Sequence, residues 1–169
     1  MDGRTHLAVG AAAGCVAGAV ALQTQAVATL GEATALAGLW TGFSQFPDLD
    51  TSSHPQRWFY RGAAVLLLLW VLGGHWRLAA IAGGLTLMPL LQHHRGWTHR
   101  WWAALLVPLA ALALWRLFTV EPAAWAWSDS ADAAHALGAT LSAGWPAYTA
   151  MAGGYATHLM LDRFPRRRR

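Results

Sequence analysis

Long apolar stretches separated by short polar segments dominate the chain. Six such runs follow one another, covering residues 7–30, 33–46, 58–74, 76–91, 101–120 and 136–161. Several lie near the lower limit of about 17 residues for a membrane-spanning helix, so the second and third are expected to be tilted, short or partly re-entrant. Pro108 and Pro146 fall inside the last two runs, where membrane helices tolerate a proline kink. The pattern predicts an all-α fold, a polytopic transmembrane helical bundle of about five to six membrane segments.

Three glycines of the first run repeat every fourth residue. Gly10, Gly14 and Gly18 therefore share one face of the predicted helix. Because glycine has no side chain, a neighbouring helix can approach that face closely. The repeat predicts a tightly packed helix pair.

Composition supports a membrane protein. Of the 169 residues, 56% are hydrophobic and 12% are charged, against about 25% charged in a soluble domain. These values argue against an ordinary soluble enzyme and exclude a disordered chain. All 12 basic residues are arginines. In a membrane protein they more often mark the cytoplasmic side than a nucleic-acid site, so no nucleic-acid partner is expected. We expect a single integral-membrane domain over residues 1–169, with a basic tail at 163–169.

Helix parity predicts the topology. If each run crosses the membrane or returns as a re-entrant pair, the His- and Asp-containing clusters all fall on one face. Ten of the twelve arginines fall on the same face. By the positive-inside rule this face is cytoplasmic, and so are both termini.

Two polar clusters lie between the apolar runs. Asp48 and Asp50 follow a proline, and two carboxylates so spaced can hold one metal ion or bridge two, although a turn with a helix cap has the same composition. His94 and His99 flank Gly96, which permits a turn that would let both imidazoles converge. The alternative for the histidines is a juxtamembrane cluster on lipid phosphates.

Two further positions lie at helix ends. His158 and Asp162 are four residues apart, so both side chains share one helix face, either for a metal or as an interfacial snorkelling pair. His6 stands alone before the first run, where a single histidine is more often structural.

Convergence on one face is what favours a metal centre. Together the clusters supply seven nitrogen and oxygen ligands, enough for a dinuclear centre or for one ion with supporting groups: His6, Asp48, Asp50, His94, His99, His158 and Asp162. Such a set admits a divalent zinc, manganese, iron or magnesium ion.

The order of these motifs resembles that of a known family. An N-terminal His is followed by Pro-Asp-x-Asp, by His-Arg-Gly-x-Thr-His and by His-x3-Asp. This order is similar to the YdjM-like family of inner-membrane metal-dependent hydrolases, described as LexA-regulated in some bacteria. The resemblance implies a multi-helix inner-membrane hydrolase. It also implies these functional positions: His6, Asp48, Asp50, His94, Arg95, His99, His158 and Asp162.

Two departures from the family pattern stand out. Arg100 follows the second histidine of the third motif, where the family commonly has Ser. After Asp162 the chain continues with Arg163-Phe164-Pro165 and four arginines, where the family often has a Thr and Gly segment. If that segment shapes the pocket, the substrate class differs or activity is lost.

The residues favour hydrolysis of a phosphoester in a lipid or a lipid-linked phosphate, with membrane lipids as partners. A metal-activated water would attack, Asp50 or Asp162 would accept a proton, and Arg95 would bind the anion.

Two alternatives remain open. One is a transporter or ion-binding membrane protein that relays protons or cations through His and Asp. The other is a non-enzymatic scaffold that binds anionic lipids.

Overall fold

The fold is helical throughout the part of the chain that the structure describes. A computed structural model describes residues 3–50, 54–87, 96–119 and 130–163, and within these ranges it contains no strand. The α-helices are α1 (Gly3–Gln23), α2 (Leu30–Phe43), α3 (His54–Leu72), α4 (Trp76–Leu87), α5 (Ala103–Thr119) and α6 (Ser130–Arg163). Two short 3-10 turns, Phe46–Asp50 and Trp97–His99, follow α2 and precede α5. The all-α prediction is therefore confirmed.

The helices differ in their capacity to span a membrane. Among the described residues, one segment, Thr5–Gln23 of α1, is both long and apolar enough to cross by length and composition, and Ala103–Trp115 forms a shorter apolar helix. The 14 residues of α2 extend about 21 Å, less than the roughly 30 Å hydrocarbon core. The predicted count of five to six membrane segments remains a prediction.

A capping box fixes the start of α2 three residues before the second apolar run begins. The Thr29 hydroxyl accepts a hydrogen bond from the Glu32 amide at 3.1 Å, and the Glu32 carboxylate accepts one from the Thr29 amide at 3.0 Å. Each bond satisfies an amide that the first helical turn leaves unpaired. The Thr-x-x-Glu spacing was present in the sequence.

The glycine repeat of α1 packs against α2. A Cβ added at Gly14 would lie 2.7 Å from the Ala37 carbonyl oxygen, and one at Gly18 would lie 2.5 Å from that of Ala33. A Cβ at Gly10 would collide with the Ser44 hydroxyl. The backbones approach so closely only because these positions lack side chains, which confirms the predicted helix pair.

A second glycine contact joins α6 to α2. Cβ atoms added at Gly153 and Gly154 would collide with the ring and the backbone carbonyl of Trp40, respectively. On the same helix, Gly144 accommodates Leu112 of α5. These contacts hold the end of α6 against the end of α2, so side chains of both helix ends meet.

The α3–α4 hairpin stands partly apart from these helices. It turns at Gly74, whose φ of 80° favours glycine, and α3 contacts the first 3-10 turn. Aliphatic side chains along α3 are exposed, among them Val65, Leu68 and Leu72. An apolar band of this kind is typical of a surface that meets lipid or a protein partner.

Candidate metal centre

Five predicted ligands meet where several helix ends come together. His6 comes from the first turns of α1, Asp48 from the first 3-10 turn and His99 from the second. His158 and Asp162 come from the last two turns of α6. Ring centroids of His6 and His158 lie 4.0 Å apart, and those of His99 and His158 lie 5.5 Å apart.

His158 is the most constrained member of the cluster. Its side chain is fully buried, and Nδ1 lies 2.8 Å from the backbone carbonyl oxygen of Ser44. Because a carbonyl only accepts, Nδ1 carries the proton, and in the neutral ring Nε2 keeps its lone pair. Nε2 lies 3.5 Å from an Asp48 oxygen and 3.7 Å from an Asp162 oxygen. The fold therefore presents an unprotonated imidazole nitrogen to two carboxylates.

His6 lies between the same two carboxylates. Its Nδ1 is 3.4 Å from Asp48 Oδ2, and its Nε2 is 3.3 Å from Asp162 Oδ1. The side chain is 2% exposed. The Nε2 atoms of His6 and His158 are buried and form no hydrogen bond within the described part of the chain. Buried polar atoms that form no hydrogen bond are costly, so two that face the same carboxylates are candidates for ligation.

A buried tyrosine holds the loop that carries His99. The Tyr155 hydroxyl donates a 2.6 Å hydrogen bond to the Thr98 carbonyl, and both side chains are fully buried. Tyr155 also belongs to a core cluster with Ala103, Ala104 and Leu159. His99 Nε2 lies 3.4 Å from Asp162 Oδ2. Two residues of α6, Tyr155 and Asp162, therefore fix the position of the His99 imidazole.

The cluster favours the ionised form of the Asp48 carboxyl. Burial raises the pKa of the Asp48 carboxyl, but the hydrogen bond from His6 and positive charge on His158, His6 and His99 outweigh it and leave that pKa below its usual value. A bound divalent cation would supply that positive charge instead and would be ligated by neutral imidazoles.

Distances within the cluster fit a metal ion. Two groups have ligand atoms within 4.8 Å of one another: His6, His158 and Asp162, and Asp48, His99 and His158. Bonds of about 2.1 Å to a tetrahedral ion place neighbouring ligand atoms about 3.4 Å apart. The nitrogen–oxygen separations of 3.3–3.7 Å fall around that value. They exceed the 2.7–2.9 Å or so of a direct charge-assisted hydrogen bond.

His158 limits how many ions the described cluster could hold. Both groups use its Nε2, since Nδ1 is committed to Ser44. One imidazole nitrogen ligates one ion, so the two groups could not each use His158 for a separate ion. A second ion would need a bridging carboxylate or further ligands.

Three predicted positions are not part of this geometry. His94 and Arg95 lie outside the described residues. The backbone of Asp50 ends the first 3-10 turn, but its side chain also lies outside the described part. Ligation by His94 and Asp50 and anion binding by Arg95 remain predictions.

Two supporting residues were not predicted. Tyr155 precedes His158 by three residues, so the helical spacing placed it on the ligand face and offered a signal. Ser44 acts through its backbone carbonyl, for which no side-chain motif exists.

Two arginines flank the cluster. Arg100 follows His99, and Arg163 follows Asp162; both are exposed. The Arg163 guanidinium lies 5.1 Å from the centroid of the Trp101 ring, within cation–π range. Positive charge therefore stands beside a site whose ligands are negative.

Comparison with known proteins agrees with the order of these motifs. The YdjM inner membrane protein family matches residues 1–167, essentially the whole chain. The chain belongs to this family. Membership in the YdjM family identifies it as an inner membrane protein and confirms the resemblance in the sequence. No curated protein and no solved structure matches the chain significantly.

Proposed function

We propose that this protein is a polytopic inner-membrane hydrolase that uses a divalent metal ion to cleave a phosphoester in a lipid or a lipid-linked phosphate. One observation carries the proposal. His158 donates from Nδ1 to Ser44 and so offers Nε2 to the point where Asp48 and Asp162 converge. A second, outer hydrogen bond that fixes the tautomer is typical of metal-binding histidines.

The residues that would hold the ion are His6, Asp48, His99, His158 and Asp162. A divalent ion held there would lower the pKa of a coordinated water toward neutrality and so would supply a nucleophile. The lowered pKa of Asp48 keeps that carboxylate charged near neutral pH. Asp162 is about one-fifth exposed, so a proton accepted by its carboxylate can pass to solvent. Asp50 is the other candidate base.

Arginine would bind the substrate's anion. Arg95 is proposed for this role because it follows one candidate ligand, His94, and its planar guanidinium can donate two hydrogen bonds to phosphate. Arg163 supports a phosphate substrate independently, since its exposed guanidinium follows Asp162 directly. A neutral ester would gain little from these charges.

The site is proposed to face the cytoplasm. The ligands come from the beginning of α1, the end of α2, the beginning of α5 and the end of α6, as antiparallel crossings require. In the predicted topology, ten of the twelve arginines lie on this face of the membrane. Both termini would then be cytoplasmic.

Phosphate or headgroup release from a panel of phospholipids and isoprenoid phosphates tests the activity. The purified protein is assayed as prepared, after chelation and after metal is restored. We expect chelation to abolish turnover and Asp48→Asn to lower it by about a hundredfold or more, because the variant removes a ligand charge. His135→Ala, at an exposed position of α6, is the control. Turnover that persists in chelator contradicts the proposal, and metal transport into vesicles without hydrolysis would favour a transporter.

A further inference from the structure

A large apolar cavity adjoins the candidate metal centre. Its volume is about 1120 Å³, somewhat above the range of roughly 300–1,000 Å³ common for small-molecule sites. Residues of α1 to α5 and of both 3-10 turns line it. Thr86, one of its polar residues, is satisfied by a 2.9 Å hydrogen bond to the Gly83 carbonyl. Space with such walls favours hydrocarbon over water.

The cavity and the centre are built from residues of the same elements. Phe46 and Leu49 line the cavity, while Asp48 of the same 3-10 turn lies in the cluster. Trp97 lines it too, two residues before His99. A ligand with its polar group at the metal ligands therefore has apolar space next to it.

A third connection runs through Gln45. This residue lines the cavity, and its side-chain amide donates a 3.1 Å hydrogen bond to the Ser44 hydroxyl. The backbone carbonyl of Ser44 orients His158. Gln45 in the cavity wall is thus hydrogen-bonded to Ser44, the residue whose carbonyl orients the His158 imidazole.

The depth of the cavity suits a hydrocarbon chain. Its α5 wall extends from Leu106 to Leu114, about 12 Å of helical rise. One leaflet contributes about 15 Å of hydrocarbon, half of the core. The cluster lies toward the Trp102 end of this wall, because His99 precedes the start of α5. The arrangement is complementary to an amphiphile with an anionic head.

We infer that the cavity binds the aliphatic chain of a lipid phosphate whose head lies at the metal centre, so that the enzyme selects long-chain phosphoesters and withdraws their chain from the bilayer. This inference rests on the proposed function for the position of the head. Binding of the chain requires no hydrolysis, so chain binding and hydrolysis can be tested separately.

Two glycines that line the cavity at different distances from the centre make it possible to test the length of chain that it binds. Gly38 and Gly42 of α2 line the cavity, and a Cβ added at either meets nothing within 4 Å. The Cβ of a larger residue at either position therefore enters open space, and a leucine there would extend toward the cavity. Gly38 lies about 6 Å farther from the centre along α2, since α2 runs toward Ser44. Gly62→Leu on α3, also in open space but outside the lining, is the matched control.

Butyl, octyl and hexadecyl phosphate are the probes, with KM and kcat measured for the metal-loaded protein in one detergent. Burial of several methylenes predicts a KM for hexadecyl phosphate at least about tenfold below that for butyl phosphate. Gly42→Leu should raise KM for the octyl and hexadecyl probes by about tenfold, whereas Gly38→Leu should raise it for hexadecyl phosphate alone. Gly62→Leu should change neither KM value, and its kcat for butyl phosphate should equal that of the unsubstituted protein.

Native mass spectrometry of chelator-treated protein measures binding of the same probes without turnover. The order of affinities among the variants should repeat the order of KM values. Unchanged binding of hexadecyl phosphate to both Gly38→Leu and Gly42→Leu overturns the inference. If no probe is hydrolysed but binding follows chain length and is lost in these variants, the proposed hydrolysis fails while the chain site stands.

Discussion

Replacing Gly154 with alanine should separate α6 from α2 and weaken the candidate metal centre. The added Cβ would collide with the Trp40 carbonyl oxygen and lie 2.8 Å from its carbon and 3.0 Å from Trp40 Cα. These are backbone atoms, so no side-chain rotation relieves the contact. His158 lies four residues later on the same helix face, so a displacement of α6 moves its imidazole away from Ser44.

Gly138→Ala on the same helix is the matched control, because a Cβ there meets nothing within 4 Å. Both substitutions gain up to about 1 kcal/mol because alanine favours a helix over glycine, so this gain cancels between the two variants. Overpacking against backbone costs Gly154→Ala alone about 1–3 kcal/mol, and the free energies of unfolding of the two variants should differ by about that amount. For a chain of this size that corresponds to roughly 2–12 °C in Tm.

Thermal unfolding in detergent, followed by circular dichroism at one scan rate, measures the difference. Metal content after identical purification measures the effect on the centre. We expect Gly154→Ala to unfold at lower temperature and to retain less metal than Gly138→Ala. Equal Tm values with equal metal content would refute the close contact between α6 and α2.

Three further predictions concern the centre and its orientation. His158→Ala should reduce bound metal well below the native content, measured by elemental analysis, whereas equal loss in His135→Ala would rule out a specific role. Arg95→Lys should keep the metal and lose most phosphoester turnover, because an ammonium group does not reproduce the two-pronged hydrogen bond; a native rate would exclude Arg95 as the anion site. Cysteines at Thr51 and Ser130, in a chain without Cys15, should react with an impermeant reagent from opposite sides of the membrane. Labelling from one side would contradict the helix parity.

The sequence predicts the helices well because their apolar runs are long. The last apolar run of the sequence begins at Ala136, whereas α6 begins six residues earlier, at Ser130. The first residues of this helix include Asp132 and His135, so its start carries no apolar signal. The beginning of α2 was missed for a different reason, since the Thr29–Glu32 capping box lies before the apolar run.

For the candidate site, parity alone predicts which helix ends meet. It does not predict the atoms that orient the ligands. The acceptor of His158 is a backbone carbonyl 114 residues away, and that of Tyr155 is one 57 residues away. Such contacts depend on packing rather than on residue type. The apolar cavity escapes prediction too, because side chains that line empty space and side chains that fill a core give the same hydropathy pattern.

The centre draws on α1 and α6, the first and the last helix that the structure describes. Synthesis and membrane insertion proceed from the N-terminus, so His6 and Asp48 enter the membrane region long before His158 and Asp162 exist. A nascent or prematurely terminated chain consequently carries only part of the ligand set. If the centre is hydrolytic, the cell's own lipids are protected from an unfinished enzyme, since activity appears only when the last helix docks. Ribosome-stalled chains that end before α6 should therefore bind no metal at this site.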